Sequence, residues 1–151
     1  MMLKRLTAAG FAVVAFVALD AAAQVKPEIL VKQRQAAMTL QGKYFGPLAG
    51  MAQGKVPFNK DVVARNAGYL DVLDKLPWDG FGENTKGEKS SALPAVWDKA
   101  GEFKQAQERL ENEVAKLVQV SKGADESAIK AQIGAVGKSC GGCHETFREK
   151  K

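Results

Sequence analysis

The run DESAIKAQIGAVGKSCGGCHETFREKK, residues 125–151, decides the fold. Ile129, Ile133, Val136, Cys140, His144 and Phe147 recur at three- and four-residue spacing, which puts them on one stripe of an amphipathic helix. The helix starts near Asp125, and Lys150 and Lys151 suit the negative end of its dipole. A helix with one apolar stripe must bury it against other elements, and the chain upstream supplies three. Ala95 to Ser121 turns Val96, Ala100, Phe103, Gln107, Leu110, Val114, Leu117 and Val118 inward, with Gly123 as its stop. Asn59 can cap a helix carrying Val62, Val63, Asn66, Tyr69, Leu70, Leu73 and Leu76 on one face, ended by Pro77. Pro27 opens the first helix with Glu28 in its first turn. There Leu30, Ala37, Met38, Phe45, Leu48 and Ala52 share a face. Pro47 lies inside that pattern and would clash with the Lys43 carbonyl, so the spacing predicts a kink or early stop near Gly46.

No segment sustains period-two alternation, so β structure is not expected. Four amphipathic helices in one small chain predict an all-α fold, an antiparallel four-helix bundle. Two connections are short. Trp78 to Pro94 is long and rich in Gly, Asn, Lys and Ser, which predicts a functional or mobile loop.

Residues 1–23 stand apart from this pattern. Lys4 and Arg5 precede an apolar run from Thr7 to Leu19, and Ala21-Ala22-Ala23 offers a small-residue cleavage site, as in a secretory signal peptide. Removal leaves one domain, residues 24–151, expected in the periplasm and, with no later stretch approaching a span, off the membrane. The net charge of +5 over 151 residues is modest and mixed with acidic residues, which argues against nucleic acid. Two cysteines exclude a disulfide scaffold, and one histidine excludes a multi-histidine metal centre.

Cys140-Gly141-Gly142-Cys143-His144 carries the chemistry. A C-x-x-C-H run reads as a site of c-type haem attachment. One helical turn sets the two thiols side by side, each able to add to a haem vinyl group, and sets His144 one turn from Cys140, where its imidazole can reach the iron. Gly141 and Gly142 let the porphyrin edge approach the backbone. A redox disulfide would fit an oxidising compartment, but such motifs accompany βαβ patterns. Zinc would want a fourth ligand.

With a single histidine, the sixth iron position decides function. Met38 either binds the iron, making an electron carrier, or packs over the haem and leaves the distal face open to a small gas. Arg34 either snorkels or makes a charge-assisted bond to a haem propionate, with Gln35 adding a neutral one. Gln41 is either an edge residue or a polar interruption of the inward stripe. Arg148 is either a cation at a helix C-terminus or a group over the proximal side of the haem.

The residues Arg34-Gln35-Ala36-Ala37-Met38-Thr39-Leu40, Leu76-Pro77-Trp78, Phe81-Gly82, Val96-Trp97 and the C-terminal Cys-x-x-Cys-His with Phe147 and Arg148 together resemble cytochrome c′, of the class II c-type cytochromes. The resemblance covers nearly all of Lys26 to Lys151. It implies a homodimer of four-helix bundles, each with one five-coordinate haem c that binds nitric oxide and carbon monoxide and largely excludes larger or more polar ligands. It implies that Cys140 and Cys143 form the thioethers, that His144 is the axial ligand, and that Met38 sits in the distal pocket without ligating. Arg34 and Gln35 would face a propionate, Trp78 and Phe81 would line the cavity, and Arg148 would lie on the proximal side. Lys86 and Lys89 would also meet propionates. Low-spin relatives of the class use a first-helix methionine as sixth ligand, which keeps the electron-transfer alternative open.

A distal wall of Met38, Trp78 and Phe81 offers no obvious donor to bound dioxygen, so the pocket is expected to disfavour it. An enzyme ranks last among the readings. No distal histidine is available for acid–base work, and no ligand set exists for a second metal.

Overall fold

A computed structural model describes residues 25–150. The expected signal segment, 1–23, lies outside the described residues, as does Lys151. Among the described residues there are five α-helices and no strand: α1 (Pro27–Ala52), α2 (Lys60–Leu73), α3 (Ala95–Asp98), α4 (Ala100–Gly123) and α5 (Glu126–Phe147). The four long helices make the bundle. α1 packs on α2 and α5, and α4 likewise packs on α2 and α5. Thus α2 and α5 are diagonal to each other, and whatever lies between them occupies the bundle centre.

Each long helix is set by local chemistry and then held by burial. Asp125 Oδ1 accepts from the Ala128 N–H at 2.8 Å, which caps α5 and holds the Asp125 carboxyl below its usual range. Ile129, Ile133 and Val136 fill the core beneath. Asn59 Oδ1 accepts from the Val62 N–H at 3.0 Å at the start of α2, as its position predicts.

Four expectations change. α1 runs through Pro47 without stopping. Leu48 and Met51, both buried beyond the proline, reward continuation. Burying two such side chains contributes about 3–6 kcal/mol, which offsets the ~3 kcal/mol cost of an interior proline. α2 ends at Leu73, four residues before Pro77, because a residue preceding proline is steered out of the helical region. Leu76, beyond the helix end, is 53% exposed rather than inward, and Tyr69 within α2 is 45% exposed, packed beside Tyr44.

The third predicted helix is broken at Lys99 (φ −122°, ψ 44°) into the single turn α3 and the long α4. Trp97 Nε1 donates to the Phe81 carbonyl at 2.9 Å, and Val96 is buried in a small core with Phe103 and Phe147. Tertiary anchoring of that first turn thus overrides the continuous period.

The connection from Trp78 to Pro94 is no structureless loop. It folds into two 3₁₀ turns, Trp78–Phe81 and Glu83–Thr85. Thr85 Oγ1 ties them together by donating to the Gly82 carbonyl at 2.7 Å. Its far end bridges to the end of α5, Ala92 opposite Arg148, with the Leu93 N–H donating to the Phe147 carbonyl at 2.9 Å. Gly80 must lack a side chain, because a Cβ there would fall 2.7 Å from both Arg34 Cβ and the Leu30 carbonyl oxygen.

Candidate haem site

A cavity of about 540 Å³ opens within the bundle, lined by α1, α4, α5 and the segment 78–92, with Leu70 of α2 and Asp74 just beyond it. Its walls contain nine of the residues that the sequence singles out: Arg34, Gln35, Met38, Trp78, Phe81, Cys140, Cys143, His144 and Arg148. Three come from α1, two from the first 3₁₀ turn, and the last four from α5 and its C-cap.

On the α5 wall, Cys140 and Cys143 are free thiols, half-buried, and not joined to each other. Burial pushes both thiols up, so they are neutral; for Cys143 the charges of Arg148 and Arg109 pull partly back. His144 is half-buried, and burial first, then the Arg148 charge, lowers its pKa. Its imidazole is held neutral with a lone pair to give. A Cβ at Gly141 or Gly142 would meet no protein atom within 4 Å, so the protein's own packing does not ask for glycine at either. What the two glycines leave clear is space beside the thiols.

The cavity has a polar mouth and an apolar interior. Arg34 is only 3% exposed, which overturns the snorkelling alternative. Its Nη1 donates to the Gly80 carbonyl, its Nη2 donates to Ser90 Oγ at 2.7 Å, and the guanidinium sits 4.3 Å over the Phe81 ring. Burial lowers its pKa, but an arginine that starts so high stays charged. Arg148 is exposed at the same end, beside Ala92, and its charge is felt at His144. Two cations and two serines, Ser90 and Ser91, at one mouth suit a group with carboxylates at one edge. Inward, Leu70, Leu110, Val114 and Val136 form an apolar lining. The indole Nε1 of Trp78 is buried with no partner, a donor waiting for an acceptor inside the cavity. Paired thiols, a neutral imidazole, an apolar slot, a cationic mouth and an orphaned donor all fit haem c.

Two expected contacts do not form. Lys86 Nζ lies 3.1 Å from Asp98 Oδ1, and neither Lys86 nor Lys89 lines the cavity. Gln41 does line it, with its Nε2 donating to the Leu73 carbonyl at 2.9 Å. It therefore satisfies the end of α2 rather than standing loose at an edge.

Sequence reasoning missed Asp74. It lines the cavity, is 1% exposed, and neither of its carboxyl oxygens has a hydrogen-bond partner. The signal was present: Asp74 continues the buried stripe of Val63, Ala67 and Leu70, where a carboxylate has no reason to be unless the site uses it.

The family model described as Cytochrome C′ matches residues 30–148. Cytochrome c′ of Rubrivivax gelatinosus is 44% identical over 126 residues, covering 83% of this chain and 98% of that protein. Its crystal structure superposes with a TM-score of 0.78 at 43% identity, covering 82% of this chain and 98% of that one. A nitric oxide complex of a point mutant of cytochrome c prime from Alcaligenes xylosoxidans superposes with a TM-score of 0.77 at 36% identity, covering 84% and 98%.

Proposed function

The chain belongs to the cytochrome c′ family, and on that premise we propose that it binds small gases, nitric oxide and carbon monoxide, at a five-coordinate haem iron held by His144. The family binds haem c, attached here through the Cys-x-x-Cys-His run. When bound, the haem supplies an iron that can take one further ligand opposite its histidine. One observation carries the reading. The thiols and the only imidazole come from α5 and line a cavity whose remaining walls, from α1, α4 and the segment 78–92 with Leu70 of α2, are largely apolar. The nitric oxide complex of the Alcaligenes relative supports the same use of the pocket.

The chain's own residues divide the work. Cys140 and Cys143 anchor the porphyrin, and His144 gives the iron its proximal nitrogen. Arg34, Gln35 and Arg148 meet the carboxylate edge. Trp78 and Phe81 wall the slot, and Met38 stands over the ligand side without binding the metal. One-electron transfer is compatible with this site. The second reading, a low-spin electron carrier with Met38 as sixth ligand, is favoured by Met38 lining the same cavity.

The optical spectrum of the reduced protein with and without carbon monoxide separates the two. A ready shift supports the open site. A low-spin spectrum indifferent to the gas sinks it in favour of Met38 ligation. On the open-site reading, Met38→Ala speeds carbon monoxide association about tenfold or more, equivalent to at least ~1.4 kcal/mol off the barrier. An unchanged rate in flash photolysis removes Met38 as a steric gate.

The protein works in the periplasm after export by residues 1–23, as a binder and carrier rather than an enzyme. It acts as a homodimer. Ile29 and Leu40 on α1, Tyr69 and Val72 on α2 and Leu76 just beyond leave exposed apolar surface that a second copy would cover. Among the described residues no helix is long and apolar enough to cross a membrane.

A further inference from the structure

Asp74 has no part in the function above, yet among the described residues no other carboxylate lines the cavity. It follows the last turn of α2, with its N–H donating to the Leu70 carbonyl at 2.8 Å. That places it at the end of α2, the helix diagonal to α5, and it lines the same cavity as Cys140, Cys143 and His144. Both carboxyl oxygens are sealed from solvent and unpartnered.

The charged groups around it do not neutralise it. Lys75 Nζ stands 3.6 Å from Asp74 Oδ1, outside hydrogen-bonding range, and is held at 2.7 Å by Asp71 Oδ1. Asp71 on α2 and Glu111 on α4 both oppose a negative charge at Asp74. On α1, Arg34 is committed to Gly80 and Ser90, and Gln41 is neutral and bonded to Leu73. On α5, the Cys140 thiol and the His144 imidazole are neutral, and Arg148 lies at the mouth. Burial, reinforced by Asp71 and Glu111 and only partly relieved by Lys75, pushes the Asp74 carboxyl up to about 7.

We propose that Asp74 is a specificity-determining residue of this pocket: as a neutral acid it donates a hydrogen bond to the outer atom of a diatomic ligand held opposite His144, and as a carboxylate it withdraws that donor and opposes negative charge there. The proposal rests on the gas-binding reading above. Ligands that gain negative charge on the outer atom, dioxygen most of all, are stabilised by such a donor. Exclusion of dioxygen by an apolar pocket therefore holds on the alkaline side and relaxes as the acid forms. The Trp78 indole N–H does not titrate in this range, so its contribution is constant with pH.

The test uses the haem-loaded, reduced protein with carbon monoxide. A donor to the bound oxygen atom draws electron density into the carbon–oxygen antibonding orbital and lowers the stretching frequency. Infrared spectra from about pH 5 to about pH 9 span the carboxyl's shifted midpoint. The wild-type band moves to higher frequency as pH rises through neutrality, and carbon monoxide affinity falls about threefold to tenfold. Asp74→Asn, a donor that does not titrate, and Asp74→Leu, which has no donor, both give bands independent of pH, with the Leu band at the higher frequency. A pH-independent wild-type band, or a pH-dependent band that persists in Asp74→Asn, overturns the proposal while leaving gas binding intact. A reduced spectrum untouched by carbon monoxide at any pH overturns the gas-binding reading and this proposal with it. The wild-type titration needs no variant to fold.

Discussion

Replacing both Cys140 and Cys143 with alanine gives an exported polypeptide that retains no colour after denaturation and acidic organic extraction, whereas the parent protein retains all of it. The two thiols sit three residues apart on α5 and line the same cavity, so one porphyrin edge can be bonded at both. Removing both leaves only a coordinate bond from His144, which extraction breaks. The consequence for the fold is as large. The haem would occupy the cavity of about 540 Å³. Without the haem, the apolar lining of Leu70, Leu110, Val114 and Val136 would face water, a loss large against the stability of an ordinary domain, about 5–15 kcal/mol. The double variant is therefore expected to lose both colour and cooperative unfolding, read by far-ultraviolet circular dichroism on heating. A colourless variant that melts as sharply as the parent would show that α1, α2, α4 and α5 close without the haem. Colour that survives extraction would refute attachment at these thiols.

Arg34→Met should lower the stability of the haem-loaded protein by about 2–4 kcal/mol. Arg34 is a buried cation that joins α1 to the segment 78–92 through Gly80, Ser90 and the Phe81 ring. Methionine can fill the aliphatic volume but cannot donate. Ser90 Oγ then loses its charged partner, while the Gly80 carbonyl keeps the Thr85 hydroxyl at 3.1 Å. The loss should concentrate in one place. Amides from Gly80 to Ala92 should exchange with solvent faster than those of α4 and α5. Denaturant unfolding gives the total, and residue-resolved hydrogen exchange gives the location. A variant within about 0.5 kcal/mol of the parent would mean that Phe81, Thr85 and Trp97 hold the segment without Arg34. On the proposed placing of Arg34 at the haem's carboxylate edge, the same substitution would also remove a cation there, and a shift in the potential of the haem is expected alongside the stability change.

How far the chain could be read without its fold depends on whether each feature is local. The stripe of Ile129, Ile133, Val136, Cys140, His144 and Phe147 is a matter of helical spacing, and it is present as expected. Cys140, Cys143 and His144 share a cavity wall for the same reason. The caps at Asn59 and Asp125 act within four residues and form where the sequence puts them. Trp78, Phe81, Met38 and Arg148 also converge on the cavity, although nothing in their spacing alone brings them together. The resemblance of the whole pattern to cytochrome c′ does that.

What periodicity missed was decided between elements. Pro47 reads as a stop until Leu48 and Met51 have a core to enter. Residues 95–121 read as one helix until Trp97 finds the Phe81 carbonyl and the chain bends at Lys99. The 78–94 connection reads as a loop until Arg34, Thr85 and the end of α5 tie it down. Arg34 reads as either a surface or a haem-facing cation, and the fold gives its donors first to Gly80 and Ser90.

The sequence by itself determined the helical class, the haem motif and the placing of Cys140, Cys143 and His144 on one wall, because these follow from which residues lie one helical turn apart. Only the tertiary structure decided that α2 stands diagonal to α5 and that Asp74 lines one cavity with His144, buried and with neither oxygen hydrogen-bonded. An isolated helix would leave that carboxylate in water at ordinary acidity. Burial removes the water and leaves in its place only Lys75, 3.6 Å away and held by Asp71.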